Sequence, residues 1–417
     1  MTINNEHKKL NVPNLRFPEF QGEWEKKSLG EIGDSFIGLT YKPTDVVSEG
    51  GLIVFRSSNI QNGCMDYKDI VRVNKNVKEK LITKKDDLLV CARNGSARLI
   101  GKNAILHEAD ANQTFGAFMM VFRSDKNHFV HQLLNTRRYS SQVSENLGAR
   151  INQITSSDLS SFEFFFPTEN SEMNKIAALL DLLDERIATQ NKIIEDLKRL
   201  KSAIIEKVFC SPNQEYPMCR IEGFEQALST YKMSDFSSRI ATKNKDSKCS
   251  LVLTIAAQYG LVNQEYFFNK SVASENLTGY YLLHKGEFAY NRSYSAGYDW
   301  GAVKRLDNYD EGVLSTLYIC FKINETIVDS DYLAYYFESS KWHKGLSDIA
   351  GEGARNHGLL NVSMTDYFNT KHRFPVIEEQ KAIAKMLNTI AEKERKATLL
   401  GECYQKQKQY LLCQMFT

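Results

Sequence analysis

Two stretches of nearly forty residues carry mostly apolar residues at positions spaced alternately four and three apart. The first runs Ile176, Leu180, Leu183, Ile187, Gln190, Ile194, Leu197, Lys201, Ile204 and Val208. The second runs Ile383, Leu387, Ile390, Glu394, Ala397, Gly401, Tyr404, Lys408, Leu411 and Met415. Charged residues such as Glu185, Arg186, Glu195, Lys198 and Arg199 flank the seam, and neither stretch holds a proline. This spacing predicts two long helices paired as a coiled coil, rather than two ordinary amphipathic surface helices. Gly401 weakens its helix by about 1 kcal/mol against alanine, which a close helix crossing would offset. Elsewhere, short apolar runs bounded by turn residues predict strands. In the first half these are residues 52–55, 87–92, 118–122 and 162–166; in the second, 251–257, 287–291 and 317–321. Shorter helices are expected over 129–146 and 331–347. The fold class is α+β.

The two long helices open alike. PVIEEQKAIAKML at 375–387 has a looser copy, PTENSEMNKIAALL, at 167–180. Phe166-Pro167 matches Phe374-Pro375, Asp158 matches Asp366, and Gly-Ala-Arg occurs at 148–150 and 353–355. Residues 84–101 align with 284–301 without a gap, and FVHQLL at 129–134 resembles YLAYYF at 332–337. The chain therefore divides into a globular domain over 1–166, a long helix over 167–212, a second globular domain over 213–374 and a second helix over 375–417. If the second helix packs along the first, it runs back toward the first domain. The helices are then antiparallel, with an internal pseudo-two-fold repeat. At 1.5 Å per residue they hold the domains at most about 60 Å apart.

Composition narrows the chemistry. A chain of 417 residues is too long for one ordinary core. Its net charge of +2 is nearly neutral, so any contact with nucleic acid must run through local patches and partners. The eight cysteines form no CxxC pair and read as reduced, mostly buried thiols. The polar start and the lack of a bilayer-length apolar run lead to the expectation of a cytoplasmic protein without a membrane partner. No phosphate-cradling loop, dinucleotide fingerprint or nucleophile elbow is present. His128 and His131 lie three apart on an expected helix, but no acidic or cysteine pattern nearby in sequence completes a metal site. They read as surface or packing histidines. Asp86-Asp87 reads as a turn, and Glu378-Glu379 as first-turn acids facing the helix dipole. The sequence carries no catalytic constellation.

Polar turn-rich loops stand at matching places in both domains. The first domain offers Thr40, Tyr41 and Lys42; Arg56, Ser58 and Asn59; Arg93, Asn94, Ser96, Arg98 and Lys102; Asn112 and Gln113; and Arg150. The second offers Gln258 and Tyr259; Asn291, Arg292, Ser293, Tyr294 and Tyr298; and Arg355, Asn356 and His357. Arginine and asparagine have the donor and acceptor geometry to read guanine and adenine edges. Serine, tyrosine and backbone amides suit phosphates.

RFPEFQGEW at 16–24, PVIEEQKAIAKML with its degenerate copy, and the two Gly-Ala-Arg-to-helix transitions together resemble the specificity subunits of type I restriction–modification systems. The resemblance covers essentially the whole chain. It departs at residues 170–173, where Asn-Ser-Glu-Met stands in place of the family's Glu-Gln pattern. It implies a non-catalytic subunit in which each target recognition domain reads half of a bipartite DNA sequence and the helices set the gap. It also implies two modification subunits bearing S-adenosylmethionine and restriction subunits using ATP and magnesium, with no cofactor on this chain. The seam residues would hold the helices together and seat those partners. The alternative from a different class is a coiled-coil scaffold with two protein-binding heads.

Overall fold

The computed structural model describes residues 11–149, 152–270, 273–274, 276–293, 297–349, 360 and 362–416. They form two compact units, Met1–Asn191 with Leu399–Thr417, and Lys192–Thr398.

The centre of the first unit is a four-stranded antiparallel sheet. Its spatial order is Asp34–Ile37, Met119–Arg123, Leu88–Cys91 and Asn103–Ile105. Leu88 and Val90 face one cluster with Trp24 and Phe129, while Leu89 and Cys91 face another with Phe55 and Phe115. Burial on both faces explains why this strand is apolar throughout rather than alternating. The second unit repeats the sheet with Ser237–Arg239, Ile319–Ile323, Phe288–Asn291 and Ala302–Arg305 in the same order. Its faces divide the same way, with Phe288 and Tyr290 in one cluster and Ala289 in another. A two-stranded ribbon, Glu25–Ser28 with Glu163–Phe166, leads into the first long helix. Its counterpart is Ser229–Lys232 with Lys371–Phe374. Each expected strand is present, trimmed or shifted by a residue or two, but the sheet strands Asp34–Ile37, Asn103–Ile105, Ser237–Arg239 and Ala302–Arg305 were not expected.

The helix expected over 129–146 is instead two, Asn127–Leu133 and Arg137–Ala149. That expected over 331–347 is Ser330–Tyr336 and His343–Ser347. The same device breaks both. Thr136 Oγ1 donates to the Leu133 carbonyl at 2.6 Å, and Ser339 Oγ donates to the Tyr336 carbonyl at 2.6 Å. A hydroxyl that satisfies a carbonyl locally competes with the helical ladder.

The long helices span Asn170–Val208 and Ile377–Met415, 39 residues each. Between residues 185 and 200 only Ile187, Gln190, Ile194 and Leu197 are withdrawn from solvent. In the first unit, Ile176 and Leu180 share a core with Leu412 and Met415. Lys408 reaches Asp184 at 2.5 Å, and Arg186 lies 5.5 Å over the Tyr404 ring. Rising numbers on one segment meet falling numbers on the other, so the segments run antiparallel. In the second unit, Ile205 and Val208 share a core with Ile383 and Leu387, and Lys201 pairs with Glu394 at 2.8 Å. Lys201, Glu394 and Lys408, the charged members of the seam, are thus held in interhelical ion pairs. Gly401 is buried in an unbroken helix.

Each long helix opens on a buried glutamate. Glu172 receives Arg16 Nε at 2.7 Å and Nη2 at 2.8 Å. Glu379 receives Arg220 Nε at 2.9 Å and Nη2 at 2.7 Å. Both arginines also donate to carbonyls of their own arms, Arg16 to Gly22 and Gln21, Arg220 to Gln226. Arg16→Met, which strands the Glu172 charge, should destabilise the first unit by about 3 kcal/mol, whereas Arg16→Met with Glu172→Leu recovers most of that loss. Urea unfolding of both variants checks this; equal losses would mean the pair's charge is unimportant.

His372 lies in the core of the second unit. Thr370 Oγ1 donates to the Tyr367 carbonyl, so it accepts from His372 Nε2, and His372 Nδ1 accepts from the Tyr336 hydroxyl. Burial pushes its pKa down from 6.5 to about 3. The unfolded chain therefore takes a proton below pH 6.5 that the folded unit refuses. Stability falls as pH drops through that window, by about 1.4 kcal/mol per pH unit at its steepest. Unfolding at pH 7 and pH 5.5 should show a smaller acid loss in His372→Gln than in the unaltered chain.

Candidate nucleic-acid interface

In the first unit three loops meet. The loop after Leu88–Cys91 presents Arg93, whose guanidinium bonds the Gln153 side-chain oxygen and stacks 5.7 Å over the exposed Phe118 ring. Asn94 Nδ2 donates to Ser57 Oγ at 2.9 Å, and Asn94 Oδ1 accepts from the Ser96 amide at 3.0 Å. Asn152 Nδ2 donates to the Gly95 carbonyl at 3.2 Å. Segments 56–59, 93–96 and 152–153 are thereby brought together, with Arg93, Ser96 and Arg98 exposed on them.

Other expected residues serve the loops themselves. Asn59 is fully buried, its amide donating to the Asp66 and Asp69 carbonyls and its oxygen capping the Arg56 amide. It holds the 56–63 loop and offers nothing outward, which corrects the expectation of a contact residue there. Gln113 Oε1 accepts from the Ile53 amide at 2.7 Å, joining two segments rather than facing solvent. Arg56 is paired with Asp69 at 2.6 Å. Lys102 is half-buried, and burial lowers its ammonium pKa. Tyr41 packs against Leu39, Val54 and Val73, while Thr40, Lys42 and Asn112 are exposed and Ser58 is half-exposed.

The second unit repeats the frame with different contacts. The Ile154 amide donates to Ala92 O at 2.9 Å, and the Leu360 amide to Arg292 O at 3.0 Å. Each loop returns to the sheet through a left-handed glycine, Gly101 at φ +82° and Gly301 at φ +76°. A Cβ on Gly301 would stand 2.1 Å from the Asn291 carbonyl, so only glycine closes this turn. Asn291 Oδ1 accepts from the Ser293 amide at 3.0 Å. The Arg292 guanidinium is turned inward, donating to the Val362 and Leu317 carbonyls at 3.2 Å each. It stitches the loop, where a freely reading side chain was expected. Tyr298 is half-buried. Gln258 and Tyr259 occupy an exposed hairpin tip between Leu253–Ala256 and Gly260–Asn263. Arg150, Tyr294, Arg355, Asn356 and His357 lie outside the described residues.

Two features escaped the sequence reading. Tyr259 lies 6.3 Å from Phe267, itself 5.1 Å from Phe268, and Tyr266 is 89% exposed. The signal was EYFFN at 265–269, three aromatics in a polar setting. Second, the fold brings Asp181 and Asp184 of the first long helix against His128 and His131. Hydrogen bonding to Asp181 raises the His128 pKa, whereas burial drives that of His131 down to about 4. Among the described residues no helix is long and apolar enough to cross a membrane.

Residues 21–199 match the family described as the type I restriction modification DNA specificity domain. The chain is 28% identical over 212 residues to the type I restriction enzyme EcoKI specificity subunit of Escherichia coli (strain K12), covering 48% of this chain and 45% of that one. It is 28% identical over 195 residues to the type I restriction enzyme StySPI specificity subunit of Salmonella potsdam, covering 44% and 42%. The chain thus spans under half the length of these two curated relatives. The crystal structure of a type I restriction–modification system S subunit from M. genitalium superposes with a TM-score of 0.58 at 16% identity, covering 97% of this chain and 99% of that one. That likeness is one of fold. Residues 21–199 of the chain are thus similar to a type I restriction modification DNA specificity domain.

Proposed function

We propose that this chain reads a bipartite DNA target, one half-site per unit, and directs adenine methylation and restriction by partner subunits. The observation that carries the reading is one scaffold built twice with different loops at the same positions. Arg93, Asn94 and Ser96 stand where the second copy carries Ser293 and residues beyond it, on sheets of identical order. A protein reading two different half-sites needs that combination. Exposed Arg93 and Arg98 suit guanine edges or phosphates, and Tyr259, Tyr266 and Phe267 offer faces on which bases stack. The long helices set the gap between half-sites. At 39 residues each they are about 58 Å long, enough for half-site centres one duplex turn apart, roughly 34–36 Å.

The chain itself performs no chemistry. Two modification subunits dock on the long helices, bring S-adenosylmethionine and flip the target adenine. Restriction subunits supply the ATP- and magnesium-dependent steps. The assembly works in the cytoplasm.

Co-expression with a cognate modification subunit in a methylation-free host, followed by genome-wide mapping of N6-methyladenine, tests this. One bipartite motif with a fixed gap is expected, lost when this chain is omitted. Stable co-purification without new methylation would instead favour a protein-binding scaffold. In the same assay Arg93→Ala should relax one position of one half-site, at a cost of roughly 1–3 kcal/mol in binding, and leave the other half-site unchanged.

The two arginines should separate by stability. Arg292→Ala removes two charged hydrogen bonds and should destabilise the second unit by about 2 kcal/mol, while Arg93→Ala should stay within about 0.5 kcal/mol of the unaltered chain. Urea unfolding of both variants decides. Equal effects would overturn the inward role given to Arg292.

A further inference from the structure

We propose that the first unit binds a divalent transition-metal ion such as zinc on His131, Asp181 and Asp184, with His128 as the fourth ligand. His128 and His131 lie one turn apart on Asn127–Leu133, and Asp181 and Asp184 one turn apart on the first long helix. One donor atom each from His131, Asp181 and Asp184 lies within 4.8 Å of the others. Paired imidazoles and paired carboxylates projecting from facing helices are how helical proteins build metal sites.

His131 supplies the independent observation. It is 4% exposed, and both its ring nitrogens are buried without a hydrogen-bond partner. Buried polar groups in folded proteins are as a rule paired. Among the described buried side chains with an orphaned polar atom, His131 is the one with both of its polar atoms unpaired, which calls for a ligand. The duplicated unit points the same way. The aligned segments put Ala334 where the first unit has His131, and Asn388 and Ala391 where it has Asp181 and Asp184. There Asn388 is satisfied by Asp331 at 2.7 Å and by Tyr335 at 2.8 Å. The scaffold therefore works without a histidine at this place.

The carboxylates are held now by other donors. His128 Nδ1 and Gln132 Nε2 bond Asp181 at 2.5 and 2.9 Å, and Gln132 Nε2 and Lys408 Nζ bond Asp184 at 3.0 and 2.5 Å. His128 Nε2 is also 3.3 Å from Asp86. Bonds of 2.0–2.1 Å to a tetrahedral ion set ligand atoms about 3.4 Å apart, so rotamer shifts of about an ångström close the site. The Lys408 ammonium must leave Asp184 and is the cation with which the metal competes. Imidazole with carboxylate favours zinc, nickel or copper over magnesium or calcium, which require oxygen donors. Bound there, the ion would pin the foot of the long helix to the globular body of its unit.

Titration of the chelator-stripped full-length chain with zinc by calorimetry, and with cobalt by visible absorption, tests the site. One ion per chain is expected, with the intense ligand-field bands of four-coordinate cobalt and a raised melting temperature. His131→Ala should abolish binding. Asp181→Asn with Asp184→Asn, which keeps side-chain shape but removes both charges, should weaken it at least tenfold. Lys408→Met should strengthen it, and His107→Ala, in the same pocket but outside the cluster, should leave it unchanged. Absence of saturable binding in the unaltered chain, or undiminished binding in the His131 and Asp variants, overturns the proposal.

Discussion

A carboxylate buried at the foot of each long helix sets the terms for the rest of the chain. Glu172 and Glu379 are each 1% exposed, and a lone buried carboxylate would have to neutralise or return to water. Bidentate pairing with Arg16 and Arg220 removes that option, but only if the arm carrying each arginine lies across the helix start. The arm is held in turn by its arginine's remaining donors, spent on its own carbonyls. Behind Arg16, Trp24 is buried beside the same carboxylate, its indole nitrogen 3.4 Å away. The ribbon Glu25–Ser28 with Glu163–Phe166 follows directly. One ion pair thus ties arm, ribbon and helix into a single geometry, and the geometry is built twice.

The helix ends close the design. Phe209, just past the first long helix, packs on Tyr332 and Tyr336 of the second unit. Phe416, just past the second, packs on Trp24 and Phe129 of the first. Each unit's core is therefore completed by the far end of the helix that begins in the other. Between these apolar ends the seam is thin and partly charged, with Lys201–Glu394 and Lys408–Asp184 in place of hydrophobic contacts. Half-buried ion pairs of this kind specify register better than they add stability, since a slip by one turn strands a charge.

The seam was legible in the sequence because its period is local, and the duplication because the helix starts and the 84–101 segment kept their spacing. Interactions between distant segments were not. Arg16 and Glu172 are 156 residues apart, Arg220 and Glu379 are 159, and no local pattern couples them. Glu379 read as a first-turn acid suited to the helix dipole, which is compatible with its position but misses the arginine that makes its burial possible. The helix break at Thr136 was hidden for another reason. A threonine fits an amphipathic pattern as an ordinary polar position until its hydroxyl is seen taking the Leu133 carbonyl. His128 and His131 looked like isolated histidines because the carboxylates facing them come from a helix some fifty residues on.

Loop chemistry is where legibility fails most instructively. Composition marked Asn59, Arg93 and Arg292 equally, as polar residues of matching loops. The fold assigns them different work, because a polar turn must first satisfy its own backbone before it can offer anything to a ligand. Asn59 is spent entirely on that task, and Arg292 mostly so. Arg93 is relieved of it by Gln153 and by Asn94, which ties the loop to Ser57. The same scaffold can thus accept different reading residues only where neighbouring side chains have taken over the loop's internal hydrogen bonds. Divergence between the two copies is confined by that condition more than by the sheets beneath, which are the same in both.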